Sequence, residues 1–325
     1  MNVAAVTDPL FHHGGRITAA AARYPLAPAP WLDLSTGISP WAYPFDDIAP
    51  EIWQRLPSGA DVTELEAAAA NAFGGVSPDH IVAVPGTDFA IRLLAALLPN
   101  GRVGIAGPTY GGYQSAWPDA KTVSFAKARG ADLLICANPN NPDGAVIAKT
   151  QLQRLRNMRI VDEAFADTVP DQSLLPHRNG AIVLRSFGKF YGLAGVRLGF
   201  VIADRPLAKQ IRAMMGDWPI SGPAVAIGIQ AYRDIQWQQS QRTRLAAAAQ
   251  QLSALLTDSG LETVGATSLF QLVSHRRATS LFEHLASAGI LSRPFANRAD
   301  WLRIGLTGND ADFSRLHIAL KNWKS

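Results

Sequence analysis

Lys189 sits in the run SFGKFYGLAGVRLG, residues 186–199, directly after the apolar stretch AIVLR. Small residues surround it, so the backbone there can approach a bound group closely. Ser186 precedes the lysine and Arg197 follows it, and both residue types hold phosphate. A nucleotide P-loop needs a glycine five positions before Gly188 and a Ser or Thr after the lysine. Val183 and Phe190 occupy those places, which excludes it. A lysine ε-amine has another use: it forms a Schiff base with an aldehyde.

The commonest aldehyde cofactor of that kind is pyridoxal phosphate. Its phosphate wants hydroxyls, backbone N–H groups and an arginine; its ring nitrogen wants a carboxylate; its 3-oxygen wants a hydrogen-bond donor. Candidates for all three are present. VPGTDFAI puts Gly86, Thr87 and Asp88 between a strand and a helix, where backbone amides make an anion site. Asp162 closes RIVD, NPNNPDG carries Asn141, and GPTY presents Tyr110, whose ring can stack on a pyridine. Taken singly, each has a plain structural explanation in a turn, a helix start or packing. Taken together, each falls at a strand end or the following turn, where open α/β sheets bind ligands.

Those positions presuppose particular elements. The first sixty or so residues are rich in Pro, Gly and Trp and predict loop with short pieces of structure. TELEAAAANAFGG predicts a helix, with Thr63 and Glu66 at capping-box spacing and Gly74 as its stop. IVAV, RVGIA, DLLICA, MRIVD, AIVLRS and LGFVIA are short apolar runs that suit a sheet buried on both faces; TDFAIRLLAALL and TQLQRLRN read as helices between them. From Ser221 the texture changes to two helices, strands at SLFQLV and WLRIGL, a helix between those strands and a last helix at DADFSRLHIALKNW. That is a smaller α+β unit, on which the N-terminal segment is expected to pack.

Composition narrows the function. The chain has 325 residues, 48% hydrophobic and 17% charged, enough to bury a full core. The net charge is +4, and Arg276–Arg277 is the densest basic spot, so the excess reads as local anion sites and not as a nucleic-acid stripe. The single cysteine, Cys136, lies in an apolar strand and fits a reducing cytoplasm. No secretory signal and no bilayer-length apolar stretch is visible, and no metal enters the reading.

The order PGTD, PTY, NPNNPDG, VDEAF, SFGKFYGLAGVRLGF, WLRIGL resembles the fold type I pyridoxal-phosphate enzymes of the class I/II aminotransferase group, over nearly the whole chain. The resemblance implies a PLP-dependent transferase (aspartate aminotransferase-like) fold, α/β, with a large three-layer α/β/α domain at 46–215, a small α+β domain at 216–325, and residues 1–45 packing on the small domain. It implies Lys189 as the imine-forming lysine, Asp162 as ring-nitrogen partner, Asn141 as 3-oxygen donor and Tyr110 as stacking ring. Ser186, Arg197 and the Gly86–Thr87–Asp88 turn would hold the cofactor phosphate, and Arg303 the substrate α-carboxylate.

Two branches of the group compete: histidinol-phosphate aminotransferases and the threonine-phosphate decarboxylases of cobalamin biosynthesis. HHGGRITAAAARYP resembles the decarboxylases' N-terminal HGG segment and offers His13, Gly14, Gly15 and Arg16 to a substrate phosphate. DEAF resembles the same branch: Phe165 stands where an aminotransferase tyrosine would donate to the 3-oxygen. ILSRPFANRADWLRIGL resembles their C-terminal segment, with Arg293 and Arg303. Two departures stand out. Leu56 in RLP replaces the family's tyrosine that reaches the partner subunit's cofactor phosphate, and the chain is short between Lys121 and Asp132. The expected activity is decarboxylation of L-threonine O-3-phosphate to (R)-1-aminopropan-2-yl phosphate by a cytoplasmic homodimer; the alternative is a histidinol-phosphate type of transamination. A regulator with a DNA-binding domain before the fold is disfavoured, since only about thirty residues precede WLDLSTGISP.

Overall fold

Short, unbroken apolar runs build the central sheet. In the computed structural model, which describes residues 8–98 and 101–323, seven strands lie in the order Ile81–Val84, Gly199–Ile202, Ile182–Ser186, Met158–Asp162, Leu133–Ala137, Val103–Ala106, Lys121–Val123. Neighbours pair parallel except Gly199–Ile202, which runs antiparallel to both strands beside it. Leu133–Ala137 and Ile182–Ser186 are buried along their whole length, as a sheet covered on both faces requires. Thr87–Leu97 and Arg205–Met215 send Ile91, Leu94, Ala208 and Ile211 into one cluster with Val84, Ile135, Ile160 and Val201. Gly59–Ala72 packs on Gly222–Arg233. A Cβ on Gly228 would lie 2.6 Å from Leu65 Cδ1 and 2.7 Å from Leu198 Cδ2, so a larger residue there would force these two buried leucines to move.

Two compact units result. One is Ala42–Gln241; the other joins the residues through Trp41 to those from Arg242 onward, and the boundary falls within the helix Ile235–Asp258. In the second unit the strands Arg293–Phe295, Arg298–Gly305, Phe270–Ser274 and Glu262–Thr267 form an antiparallel sheet in that order. Leu32–Asp33 pairs in parallel with Ile290–Leu291, which ties the N-terminal segment to the C-terminal part of the chain. Among the described residues no helix is long and apolar enough to cross a membrane.

The structure departs from sequence expectation in a few elements. The helix expected from Thr63 starts earlier, at Gly59, and its capping box is Ser58 with Asp61. Thr63 instead donates back to the Gly59 carbonyl, and Glu66 is buried, accepting the Ala83 N–H. Both boxes satisfy the spacing rule; the earlier one wins because the intervening residues tolerate helix. TQLQRLRN is helical only over Lys149–Gln153. Lys121–Val123 and Glu262–Thr267 are strands that the apolar-run criterion misses, because each leaves much of its length exposed.

Candidate active site

The chemistry-bearing residues of the first unit all leave the same edge of the sheet. Asp162 and Ser186 are the last residues of parallel neighbours, Met158–Asp162 and Ile182–Ser186. Lys189 rides on the short helix Phe187–Phe190 that follows Ser186. Tyr110 follows Val103–Ala106, Asn141 follows Leu133–Ala137, and Gly86 follows Ile81–Val84 to open Thr87–Leu97. With Arg197 they line one cavity of about 220 Å3, so the structure brings together Gly86, Thr87, Asp88, Tyr110, Asn141, Asp162, Ser186, Lys189 and Arg197.

One end of the cavity is built for an anion. Gly86 has φ +88, and a Cβ there would come within 2.6 Å of Arg197 Nη2. Glycine thus serves both the left-handed turn and the seat of the guanidinium. Arg197 itself is left-handed at φ 56, a conformation held by the Leu198–Phe187 backbone bond beside it and by its own Nη1 donating to Ala194 O at 3.1 Å. Thr87–Leu97 directs its N-terminal amides at the same place.

The other end is dominated by Asp162. Burial pushes its carboxyl above the ordinary carboxylate range, against the Tyr113 hydrogen bond, the Ala164 N–H and the charge of Lys189. Tyr110 donates to Asp88 Oδ1 at 3.1 Å; burial, then the Asp88 charge, push its phenol up to about 12, so it stays neutral. The loop bearing Asn141 is braced from within. Asn138 accepts from Ile147 N–H at 2.8 Å and donates to Ile147 O at 3.2 Å, while Asn140 Nδ2 donates to Pro108 O and Asp143 Oδ1, each at 2.8 Å. Phe165 is buried and lines the cavity with no polar atom.

His13, Gly14, Gly15, Arg16, Arg293 and Arg303 belong to the second unit. His13 and Arg16 are exposed. Gly15 N–H donates to Ser35 Oγ at 2.7 Å, and Ser35 Oγ donates on to Asp33 Oδ1 at 2.5 Å. Arg293 and Arg303 are direct partners in the antiparallel ladder, so they share a face. Arg293 donates to the carbonyls of Phe11 and His12 at 2.8 and 2.6 Å, clamping the HGG segment. Arg303 Nη2 donates to Ser35 O at 2.7 Å. Burial lowers Arg303 to about 9 and Arg293 to about 10, which leaves both cationic at neutral pH. Leu56 is 65% exposed and lies outside the cavity.

Sequence reasoning passed over Tyr113, a fully buried residue of the cavity wall, whose phenol donates to Asp162 at 2.7 Å. The available signal was TYGGY, which sets two tyrosines three residues apart at a helix start. The set as a whole offers an amine, a buried carboxylate, an amide, a flat ring and an anion seat. That donor set fits a phosphorylated pyridine aldehyde.

Known proteins resemble this chain in sequence and fold. The family model "Aminotransferase class I and II" matches residues 118–320. A threonine-phosphate decarboxylase of Pseudomonas aeruginosa is 40% identical, over 97% of this chain and 98% of its own length. A histidinol-phosphate aminotransferase of Blochmanniella pennsylvanica is 27% identical over 70% of this chain and 72% of its own. The crystal structure of histidinol-phosphate aminotransferase from Sinorhizobium meliloti in complex with pyridoxal-5'-phosphate superposes with a TM-score of 0.79 at 21% identity, covering 93% and 92% of the two chains.

Proposed function

Because the chain belongs to the aminotransferase class I and II family, we propose that it is a pyridoxal-phosphate-dependent carboxy-lyase. Its substrate in this reading is L-threonine O-3-phosphate, and its products are carbon dioxide and (R)-1-aminopropan-2-yl phosphate, a step of cobalamin biosynthesis. The 40% identity with a threonine-phosphate decarboxylase over nearly the full length of both chains carries the reading, against a weaker and partial match to the aminotransferase.

When bound, pyridoxal phosphate supplies an aldehyde that condenses with amines and a ring that accepts the electron pair left at a substrate α-carbon. Lys189 would hold the cofactor through its amine and, with the substrate amine bound in its place, would carry the proton given up by the substrate ammonium to the α-carbon. Asp162, held by Tyr113 and Ala164 N–H, would partner the ring nitrogen and keep it protonated. Asn141 would donate to the 3-oxygen, and Phe165 would add no second donor there. Tyr110 would stack on the ring, and Ser186, Arg197 and the Gly86–Thr87–Asp88 turn would hold the phosphate.

The substrate's own phosphate would go to His13, Gly14 N–H and Arg16, with Gly15 shaping the turn at φ +78 and Arg293 bracing the segment through the Phe11 and His12 carbonyls. Binding energy from that remote group orients the α-carbon so that the carboxylate is the group lost. Arg303 takes the α-carboxylate. A two-pronged grip would stabilise the ground state and slow loss of carbon dioxide. With Nη2 engaged by Ser35 O, a one-sided hold is favoured. The enzyme in this reading is a cytoplasmic homodimer. The lone, buried Cys136 suits a reducing compartment, and the exposed Trp53, Leu56 and Phe45 suit a second copy of the chain.

The test is incubation of the purified, yellow holoprotein with threonine phosphate. Carbon dioxide should be released without any added 2-oxoacid, and a Lys189→Ala variant should release none. A keto product that forms only with a 2-oxoacid, and no gas, replaces this reading with transamination.

A further inference from the structure

Tyr113 is a buried phenol in the helix Gly111–Ala116, 1% exposed. Its ring sits in the apolar cluster with Ile135 and Ile160 and meets Tyr110 edge-on, centroids 5.6 Å apart. A phenylalanine would serve that packing equally well. The hydroxyl is the anomaly in an apolar core, and it donates to Asp162 Oδ2 at 2.7 Å. Ala164 N–H donates to Oδ1 at 3.0 Å, so each carboxylate oxygen has a donor. We propose that Tyr113 is a positioning residue for the cofactor, holding Asp162 ionised and oriented so that the site selects a protonated pyridine nitrogen over an uncharged ring. This rests on the reading of Asp162 as the ring-nitrogen partner.

The physics is a competition. A carboxylate removed from water reverts toward its neutral form unless donors and cations offset the loss of solvation. For Asp162 burial is the largest effect, and the Tyr113 bond leads those opposing it, ahead of Ala164 N–H and Lys189. Cys136 and Tyr110 also feel the Asp162 charge, but burial keeps both protonated, at about 12 in each case. Tyr113 is raised well above its usual range by burial and by Asp162 itself, so it remains a donor and never a competing anion. A neutral Asp162 would have no charge with which to distinguish a pyridinium from its uncharged isostere.

The test measures cofactor affinity, not turnover. Pyridoxal phosphate and its 1-deaza analogue, in which C–H replaces the ring nitrogen, are titrated into cofactor-depleted full-length protein and followed by the visible band of the bound form. Tyr113→Phe is expected to bind pyridoxal phosphate about tenfold more weakly, the scale of a hydrogen bond to a charged group, with no loss for the analogue. Equal weakening of both ligands means that the phenol acts only through packing and overturns the proposal, as does no weakening of either. Asp162→Asn run in parallel is expected to abolish the preference between the two ligands. If that variant keeps the preference, Asp162 is not the ring partner, and the proposal falls with that assignment.

Discussion

Asp162 is costly to keep where it is. In the folded protein burial outweighs its donors, so its carboxyl binds a proton more tightly than in the unfolded chain, where the value is near 3.8. A carboxyl raised in this way contributes stability that is complete below the unfolded value and is lost as pH rises through the folded one. Asparagine does not titrate. In cofactor-free protein, the melting temperature of Asp162→Asn relative to the parent should therefore climb from about pH 4 upward and level off once Asp162 is fully ionised. Thermal melts across a pH series check this, and a difference that stays flat with pH contradicts it. A site residue that destabilises its own fold in this way is a common exchange of stability for function. Lys189, Asp162, Asn141 and Arg197 stood out in the sequence because each falls at a strand end or in the segment that follows one, in the order that the class I/II group carries. Tyr113 did not, because a tyrosine near a helix start is ordinarily packing.

Helix Gly59–Ala72 shows what local rules settle and what they leave open. Its existence follows from the alanine-rich run, but two capping boxes lie within reach, and the structure uses Ser58 with Asp61. Ser58→Ala should cost about 1 kcal/mol, the usual value of a lost N-cap, while Thr63→Ala should cost no more than about 0.5 kcal/mol as an exposed mid-helix change. Chemical denaturation of the two variants separates the boxes; equal losses would return the cap to Thr63. The buried strands were legible for a similar reason: a strand covered on both faces must be apolar throughout. Lys121–Val123, at the sheet edge, and Glu262–Thr267, at the edge of the second sheet, each have a neighbour on one side only. They need no unbroken apolar run, and none marks them.

At the scale of the whole molecule, the proposed homodimer carries a prediction. Trp53 and Leu56 are 67% and 65% exposed, far from the burial such side chains normally reach. The protein should run at twice the monomer mass in light scattering, and Leu56→Asp together with Trp53→Asp should shift it to the monomer; a monomeric parent removes the dimer. The resemblance to the aminotransferase group anticipated the fold, a large mixed sheet with helices on both faces, and it anticipated the cofactor class. The sequence by itself determined which strand ends carry reactive groups, because strand burial, turn chemistry and helix starts are written in neighbouring residues. Only the tertiary structure decided that Tyr113 meets Asp162 across 49 residues and that Ser35 takes the amide of Gly15 across 20. Such contacts join distant segments, and their approach is set by how whole elements pack, which no local pattern records.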